Sequence, residues 1–270
     1  MKKVQRLTLN NKNTIPDIGF GTWQISNEAV IDAVITALEC GYRHIDTAID
    51  YGNEEGVGKA LKLTDVKREE IFLTSKIPAH VKTYEGAKRC IEESLKRLQV
   101  DYLDLMLIHS PRPWEGLWDP NYPRYYKENL EVYKALEEAY KEKKIKSIGI
   151  SNFFIDDVKN ILENVEIKPV INQICVFIGN TPKELIKYCK ENDILVEAYS
   201  PIATGRLLKN KELIAIAEKY DVSVPQLCIR YCMQIGTLPL PKSQTKEHIK
   251  SNLDVDFEID KIDLDYLFNL

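Results

Sequence analysis

Along this chain a short apolar run gives way to a helical pattern, and it does so eight times over. The runs are Gly19–Trp23, Tyr42–Ala48, Ile71–Ile77, Tyr102–Ser110, Ile145–Asn152, Val170–Val176, Ile194–Ser200 and Thr237–Ser243. They are rich in Ile, Val, Leu and Phe, as strands covered on both faces must be. Strands of that kind alternating with helices imply an α/β protein with a parallel sheet, and eight units close the sheet into a (β/α)8 TIM barrel. Ahead of them, Val4–Leu9 and Thr14–Ile18 flank the turn "NNKN" and read as a β-hairpin. No Pro/Gly-rich linker divides the chain, so residues 1–270 are expected to form one domain.

The helical stretches carry start and stop signals. Asn27 is expected to cap a helix running to Glu39, with Gly41 as its stop, and Asn53 to cap Glu54–Leu61. Thr83–Leu98, Glu128–Lys141 and Pro182–Lys190 follow, the last with Thr181 as N-cap and proline at the first helical position. Further helices are expected over Asp156–Leu162, Lys211–Tyr220, Val224–Gln234 and Lys246–Asn252. The aromatic, proline-rich stretch from Pro111 to Tyr126 follows the fourth run and is expected over the C-terminal mouth of the barrel.

Charge and cysteine content narrow the function. A net charge of -4 supplies no basic surface for nucleic acid, and the cluster "KEKK" at 141–144 reads as a solvated helix end. Apolar runs are strand-sized, so no membrane span is expected, and no apolar segment of a signal peptide follows the basic start. The six cysteines form no C-x-x-C pair and read as core thiols of a protein in a reducing cytoplasm.

In a barrel of this kind chemistry sits where the strands end. The polar residues there are Asp46 followed by Tyr51, Lys76, His109, Ser151 with Asn152, Asn172 with Gln173, Glu197 with Tyr199 and Ser200, and Lys242 with Ser243. Each alone is ordinary: a strand-end histidine is more often structural, and a lysine in an apolar strand is often simply paired. Four of them make a chemical set. A tyrosine with an unperturbed pKa of ~10 is a poor proton donor at neutral pH, and a neighbouring ammonium favours its phenolate. An aspartate holds the ammonium in place, and a histidine orients a carbonyl oxygen. Asp46, Tyr51, Lys76 and His109 can thus protonate an oxygen as charge develops on it. Asp50 receives no role and reads as a loop or helix-entry residue.

The segments "GFGTW" (19–23), "HIDTAIDYGNEEGVG" (44–58), "LTSKI" (73–77), "LDLMLIH" (103–109), "IGISNF" (148–153), "INQI" (171–174), "EAYSP" (197–201) and "PLPKS" (239–243) together resemble the aldo-keto reductases, over nearly the whole chain and in order. The short microbial type, akin to diketogluconate and glyoxal reductases, is the subgroup most resembled. The resemblance implies a barrel whose bottom is closed by the hairpin, and reduction of an aldehyde or ketone by hydride from NADPH. It implies Tyr51 as proton donor, Lys76 lowering its pKa, Asp46 anchoring Lys76, and His109 orienting the substrate. It implies that Ser151, Asn152 and Gln173 hold the nicotinamide carboxamide, that Tyr199 stacks on the ring, and that Gly21, Thr22, Ser200 and Asn252 meet the cofactor. Trp23 would wall a substrate pocket.

Three positions depart from the family pattern. His248 stands where an arginine usually pairs with the adenosine 2′-phosphate, so NADPH would rest on Lys242 with Ser243 and Thr245, and NADH is possible. Ser251 stands where a carboxylate is usual. Ser110 follows the histidine where many relatives have tryptophan; it should open that wall, with Trp114 or Trp118 as the replacement. The expected partner is a small carbonyl compound, and the expected chain is a monomer. A nicotinamide-binding regulatory or structural protein with little turnover is the alternative. "NEEGVGKA" (53–60) misses the phosphate-loop pattern at two positions. A metal hydrolase on His44, Asp46 and His109 lacks paired-histidine spacing; His44 reads as a satisfied core histidine.

Overall fold

A computed structural model describes residues 4–270, so the basic start Met1–Lys3 lies outside it. Strands β1 (Arg6–Thr8) and β2 (Thr14–Pro16) pair antiparallel, Leu7 opposite Ile15. Eight strands then form one parallel sheet in sequential order: β3 (Phe20–Gly21), β4 (His44–Asp46), β5 (Phe72–Ile77), β6 (Leu105–Ile108), β7 (Ile148–Ser151), β8 (Ile171–Cys175), β9 (Leu195–Tyr199) and β10 (Leu238–Leu240). The backbone amides of Gly19 and Gly21 donate to the carbonyls of Pro239 and Pro241, both at 3.0 Å, and bring the last strand against the first. The expected barrel is therefore present, each strand shorter than its apolar run because the ends of the runs turn into loops.

Helices α1 (Ala29–Cys40), α2 (Glu54–Leu63), α3 (Tyr84–Leu98), α4 (Tyr126–Lys141), α5 (Ile155–Asn164) and α6 (Lys183–Glu191) follow β3 to β8 in turn. Two helices, α7 (Lys211–Lys219) and α8 (Val224–Gln234), fill the connection from β9 to β10, and α9 (Lys246–Ser251) and α10 (Lys261–Asn269) follow it. The last was not expected; its apolar face is short, and its start is fixed by Asp260, whose carboxylate accepts from the Asp263 amide. None of the described helices is long and apolar enough to cross a membrane.

Every residue of β5 is buried, including Thr74, Ser75 and Lys76. Inside the barrel Phe72, Leu105, Leu107, Ile171, Leu238 and Leu240 pack into a cluster that Leu9 and Ile15 of the hairpin seal from below. The turn that joins the hairpin also bonds to the chain where strands enter. Asn10 Nδ2 donates to the carbonyls of Pro169 and Asp193, and Asn13 Nδ2 to that of Lys146. The hairpin thus satisfies both the apolar and the polar groups at the strands' N-terminal ends, leaving the opposite end for the site.

Some helix starts are held differently from the expectation. Gly41 does end α1, with φ of 113°, a left-handed conformation that costs glycine little. Thr83, expected as the first residue of its helix, is instead the N-cap of α3, its Oγ1 accepting from the Gly86 amide. Asn27, however, does not cap α1: its Oδ1 accepts from the Gly56 amide at 2.8 Å, in the first turn of α2. Asn53 sits at the N-cap position of α2 but bonds elsewhere, donating to the carbonyls of Thr22 and Ile25 and accepting from Thr47 Oγ1. Thr181 likewise makes no cap; its hydroxyl meets Tyr231 OH at 2.6 Å, and Pro182 precedes the helix instead of opening it. In each case a tertiary partner outcompetes the local amide. All six cysteines are free thiols, buried or partly buried.

Candidate active site

Asp46 ends β4, and the chain then passes through a single 3₁₀ turn, Ile49–Tyr51, before α2. That turn brings Tyr51 back over the penultimate residue of β5, Lys76. The Lys76 side chain is fully buried, and its ammonium has three partners: Asp46 Oδ1 at 2.7 Å, the Thr47 carbonyl at 2.9 Å and Tyr51 OH at 3.1 Å. An ammonium has three protons, so the set is complete. Burial pushes the Lys76 pKa down, but Asp46 and Tyr51 outweigh it, and the net shift is upward. The lysine is charged in the folded protein.

For Tyr51 the balance runs the other way. Burial pushes its pKa up, Lys76 pulls it down, Asp46 and Asp50 push again, and the phenol ends at about 12. The ammonium acts in the expected direction without winning in the free protein. Tyr51 therefore holds its proton at neutral pH, beside a cation placed to stabilise its loss.

Beneath this trio lies a buried polar chain. Gln173 Nε2 donates to Asp46 Oδ2 at 2.8 Å and to Glu197 Oε2 at 2.6 Å. Burial, then the Asp46 charge, raise the pKa of Glu197. His44 Nε2 lies 3.1 Å from Thr74 Oγ1 and 3.6 Å from Glu197 Oε1, and burial drives its pKa down to about 3, so the ring is neutral. Its Nδ1 has no hydrogen-bond partner among the described residues, so the ring is only half satisfied. Thr22 is also buried, and its hydroxyl donates to the Asp46 carbonyl at 3.0 Å; Thr22 braces the aspartate from β3.

His109 directly follows β6, its ring edge-on to Tyr51 with centroids 5.6 Å apart. Its Nδ1 lies 3.3 Å from Asp50 Oδ2, and Trp114 packs edge-on against it at 4.9 Å while directing Nε1 toward the same carboxylate, at 3.5 Å. Asp50, given no role from the sequence, thus belongs to the cluster. Its partners lie 59 and 64 positions away, so adjacency to Tyr51 was the only local signal.

Above β7 and β9, Ser151 Oγ donates to the Gln173 carbonyl, and Asn152, at φ of 61°, donates to the His109 carbonyl and to Ser151 Oγ. Tyr199 OH donates to Asn152 Oδ1 at 2.8 Å, and this fixes the tyrosine ring at the mouth. Leu240 pairs in register with Tyr199, which puts Lys242 two residues beyond it, exposed and without a carboxylate partner among the described residues. Ser243 Oγ accepts from the Thr245 amide at the start of α9, whereas Asn252, at its end, is buried. His248 is exposed on α9. Gly21, at the end of β3, has the Lys242 side chain as its neighbour across the barrel seam. The loop after β9 holds Ser200, Ala203 and Thr204 at φ of 50–53°, conformations that cost non-glycine residues about 1–3 kcal/mol each.

The structure brings the residues expected at the pocket together unevenly. Trp23 and Trp114 stand about half exposed at the mouth. Ser110 does not line it: the residue is fully buried, its hydroxyl donating to the Arg112 carbonyl at 2.6 Å to start the long loop. Lys82 ties that start down by donating to the Ser110 carbonyl and to Asn129 Oδ1. Arg112, itself buried, binds the Asp119 carbonyl. Trp118 packs on Phe154 and so stands to one side, leaving Trp114 as the indole over His109.

A barrel with this cluster at its C-terminal mouth defines an oxidoreductase architecture, and comparison makes it specific. The model of the aldo/keto reductase family matches residues 17–268. This chain belongs to that family. It is 42% identical over 259 residues to a glyoxal reductase of Bacillus subtilis (strain 168), covering 95% of this chain and 89% of that protein. It is 39% identical over 261 residues to the methylglyoxal reductase DkgA of Escherichia coli (strain K12), covering 96% and 90%. A Bombyx mori aldo-keto reductase solved in complex with NADP superposes with a TM-score of 0.89 at 34% identity, covering 100% of this chain and 93% of that one.

Proposed function

We propose that this protein reduces small aldehydes or ketones to alcohols with NADPH, with Tyr51 as proton donor. The observation that carries the reading is the buried Lys76 ammonium shared between Asp46 and Tyr51 OH. Reduction leaves an oxygen that must gain a proton as negative charge builds on it. Tyr51 holds that proton at neutral pH, and Lys76 is placed to stabilise the phenolate left behind. Asp46 keeps the ammonium charged; Gln173 and Thr22 keep Asp46 in place. His109, the other polar ring at this spot, orients the carbonyl oxygen.

The residues present fit a nicotinamide dinucleotide. Tyr199 offers a fixed aromatic face, Ser151 and Asn152 offer hydroxyl and amide groups beside it, and Gln173 lies beneath. Lys242, without a carboxylate partner, supplies a cation for a phosphate, with Ser243, Thr245 and His248 near it, and Gly21, Ser200 and Asn252 complete the surround. When bound, the reduced nicotinamide supplies hydride to the carbonyl carbon. His248 is a weaker phosphate partner than an arginine fork, so preference for NADPH over NADH is modest. The small dicarbonyls named for the two relatives are the first substrates to test, and Trp23 and Trp114 are the walls they would meet.

The test is Tyr51→Phe with glyoxal and methylglyoxal, with NADPH and NADH in parallel. The variant should bind NADPH and lose most reduction. Near wild-type reduction by Tyr51→Phe would overturn the assignment. Cofactor binding by the wild type with no turnover over a wide carbonyl panel would favour a binding protein.

A further inference from the structure

His109 has two ring nitrogens, and one of them, Nδ1, faces the Asp50 carboxylate. Nδ1 is buried and 3.3 Å from Asp50 Oδ2, a close charge contact that falls short of a formed hydrogen bond, and it has no hydrogen-bond partner among the described residues. Trp114 closes the other side of the pair: its ring packs on the imidazole, and its Nε1 points at the same carboxylate oxygen. Asp50 itself sits in the 3₁₀ turn Ile49–Tyr51, directly before the phenol.

We propose that Asp50 is a positioning residue that sets the proton pattern of His109. A carboxylate accepts and never donates when ionised, so the neutral ring beside it keeps its one proton on Nδ1. Nε2 is then a bare acceptor. A carbonyl oxygen is also only an acceptor, so the neutral ring cannot bind it through Nε2. The imidazolium can. An alcohol hydroxyl, by contrast, can donate to the neutral ring. Asp50 therefore ties carbonyl reduction to the protonated form of His109 and alcohol oxidation to the neutral form.

The charges around the ring are mixed. Burial lowers the His109 pKa, Asp50 raises it, Lys76 lowers it and Asp46 raises it, with the balance downward. Tyr51 faces the ring with its edge, and His80 faces Asp50 from the loop after β5. At neutral pH the ring is mostly uncharged, which is where the choice of nitrogen matters.

The proposal rests on the reading that His109 meets the substrate oxygen, and two measurements separate the two claims. The first needs no turnover. Nitrogen NMR of the full chain labelled with ¹⁵N-histidine reports which nitrogen carries the proton in each neutral ring, and His109→Gln identifies the signal. Wild-type His109 should carry it on Nδ1. Asp50→Asn, whose amide oxygen can still accept, should keep that pattern, and Asp50→Ala should move the proton to Nε2. A wild-type proton on Nε2, or no change in Asp50→Ala, overturns the proposal.

The second measurement is kcat/KM for glyoxal reduction between pH 6 and pH 8. It should fall by about tenfold per pH unit above the His109 pKa in the wild type, and by less than about threefold over the whole span in Asp50→Ala. Parallel profiles for the two overturn the link between Asp50 and reduction. Absence of reduction in every protein overturns the functional reading and leaves the NMR result to decide the proton pattern.

Discussion

Replacing Lys76 with methionine removes the ammonium 3.1 Å from Tyr51 OH and 2.7 Å from Asp46 Oδ1. At that distance from a forming phenolate, an effective dielectric of about 20 gives an attraction of ~5 kcal/mol. Part of it is recovered, because neighbouring polar groups reorient toward the phenolate. The net loss is roughly 3–4 kcal/mol, a fall of about 10²–10³ in kcat/KM. Stability also drops, by ~3–5 kcal/mol for one buried charge left alone. The double variant Lys76→Met/Asp46→Asn removes that lone charge, so it should regain stability without regaining activity. Steady-state reduction of glyoxal with NADPH, alongside urea unfolding of each protein, separates the two effects. A folded Lys76→Met protein that reduces within tenfold of wild type would refute the role given to the ammonium.

Other consequences can be checked in the same way. Glu197 has a folded pKa raised above its unfolded value of ~4.3, so its contribution to stability is complete below that pH and is lost as pH rises toward the folded value, by up to ~1.4 kcal/mol per unit. Glu197→Gln should therefore gain on the wild type in urea midpoint between pH 5 and pH 8; a constant difference would contradict the raised pKa. Asn27→Ala should cost ~1 kcal/mol through the lost cap on α2, and Asn53→Ala clearly more, since it strips three buried hydrogen bonds. Equal unfolding midpoints for those two variants would be inconsistent with the observed bonding. Lys242→Met should raise KM for NADPH by about tenfold and leave KM for NADH nearly unchanged; equal effects on both would remove Lys242 from the phosphate.

The barrel was legible because its strands are covered on both faces, so hydrophobicity runs unbroken through segments such as Leu105–Ile108, and eight such runs admit few architectures. Lys76 stood out because a lysine is costly in a strand buried at every position. Local rules failed where a side chain had a better partner across the fold. Asn53 and Thr181 carry the right atoms for a cap and spend them elsewhere. Asp50 was unreadable because its meaning comes from His109 and Trp114, which reach it from another strand end and the long loop. Ser110 was misjudged by position: a residue directly after His109 turns away from the mouth once the loop folds back on Arg112.

The crossing of Asn27 onto α2 has a kinetic meaning. The Gly56 amide would be protected by an ordinary local cap as soon as α2 formed. Here its acceptor comes from the residue 29 positions earlier, and a methyl group on Gly56 would lie 2.0 Å from the Asn27 carbonyl oxygen, so the two segments meet without room between them. Hydrogen exchange at Gly56 thus times the docking of the first βα unit against the second, not the winding of the helix. A folding experiment that follows this single amide would show when the edge of the barrel carrying Asp46 and Tyr51 comes together.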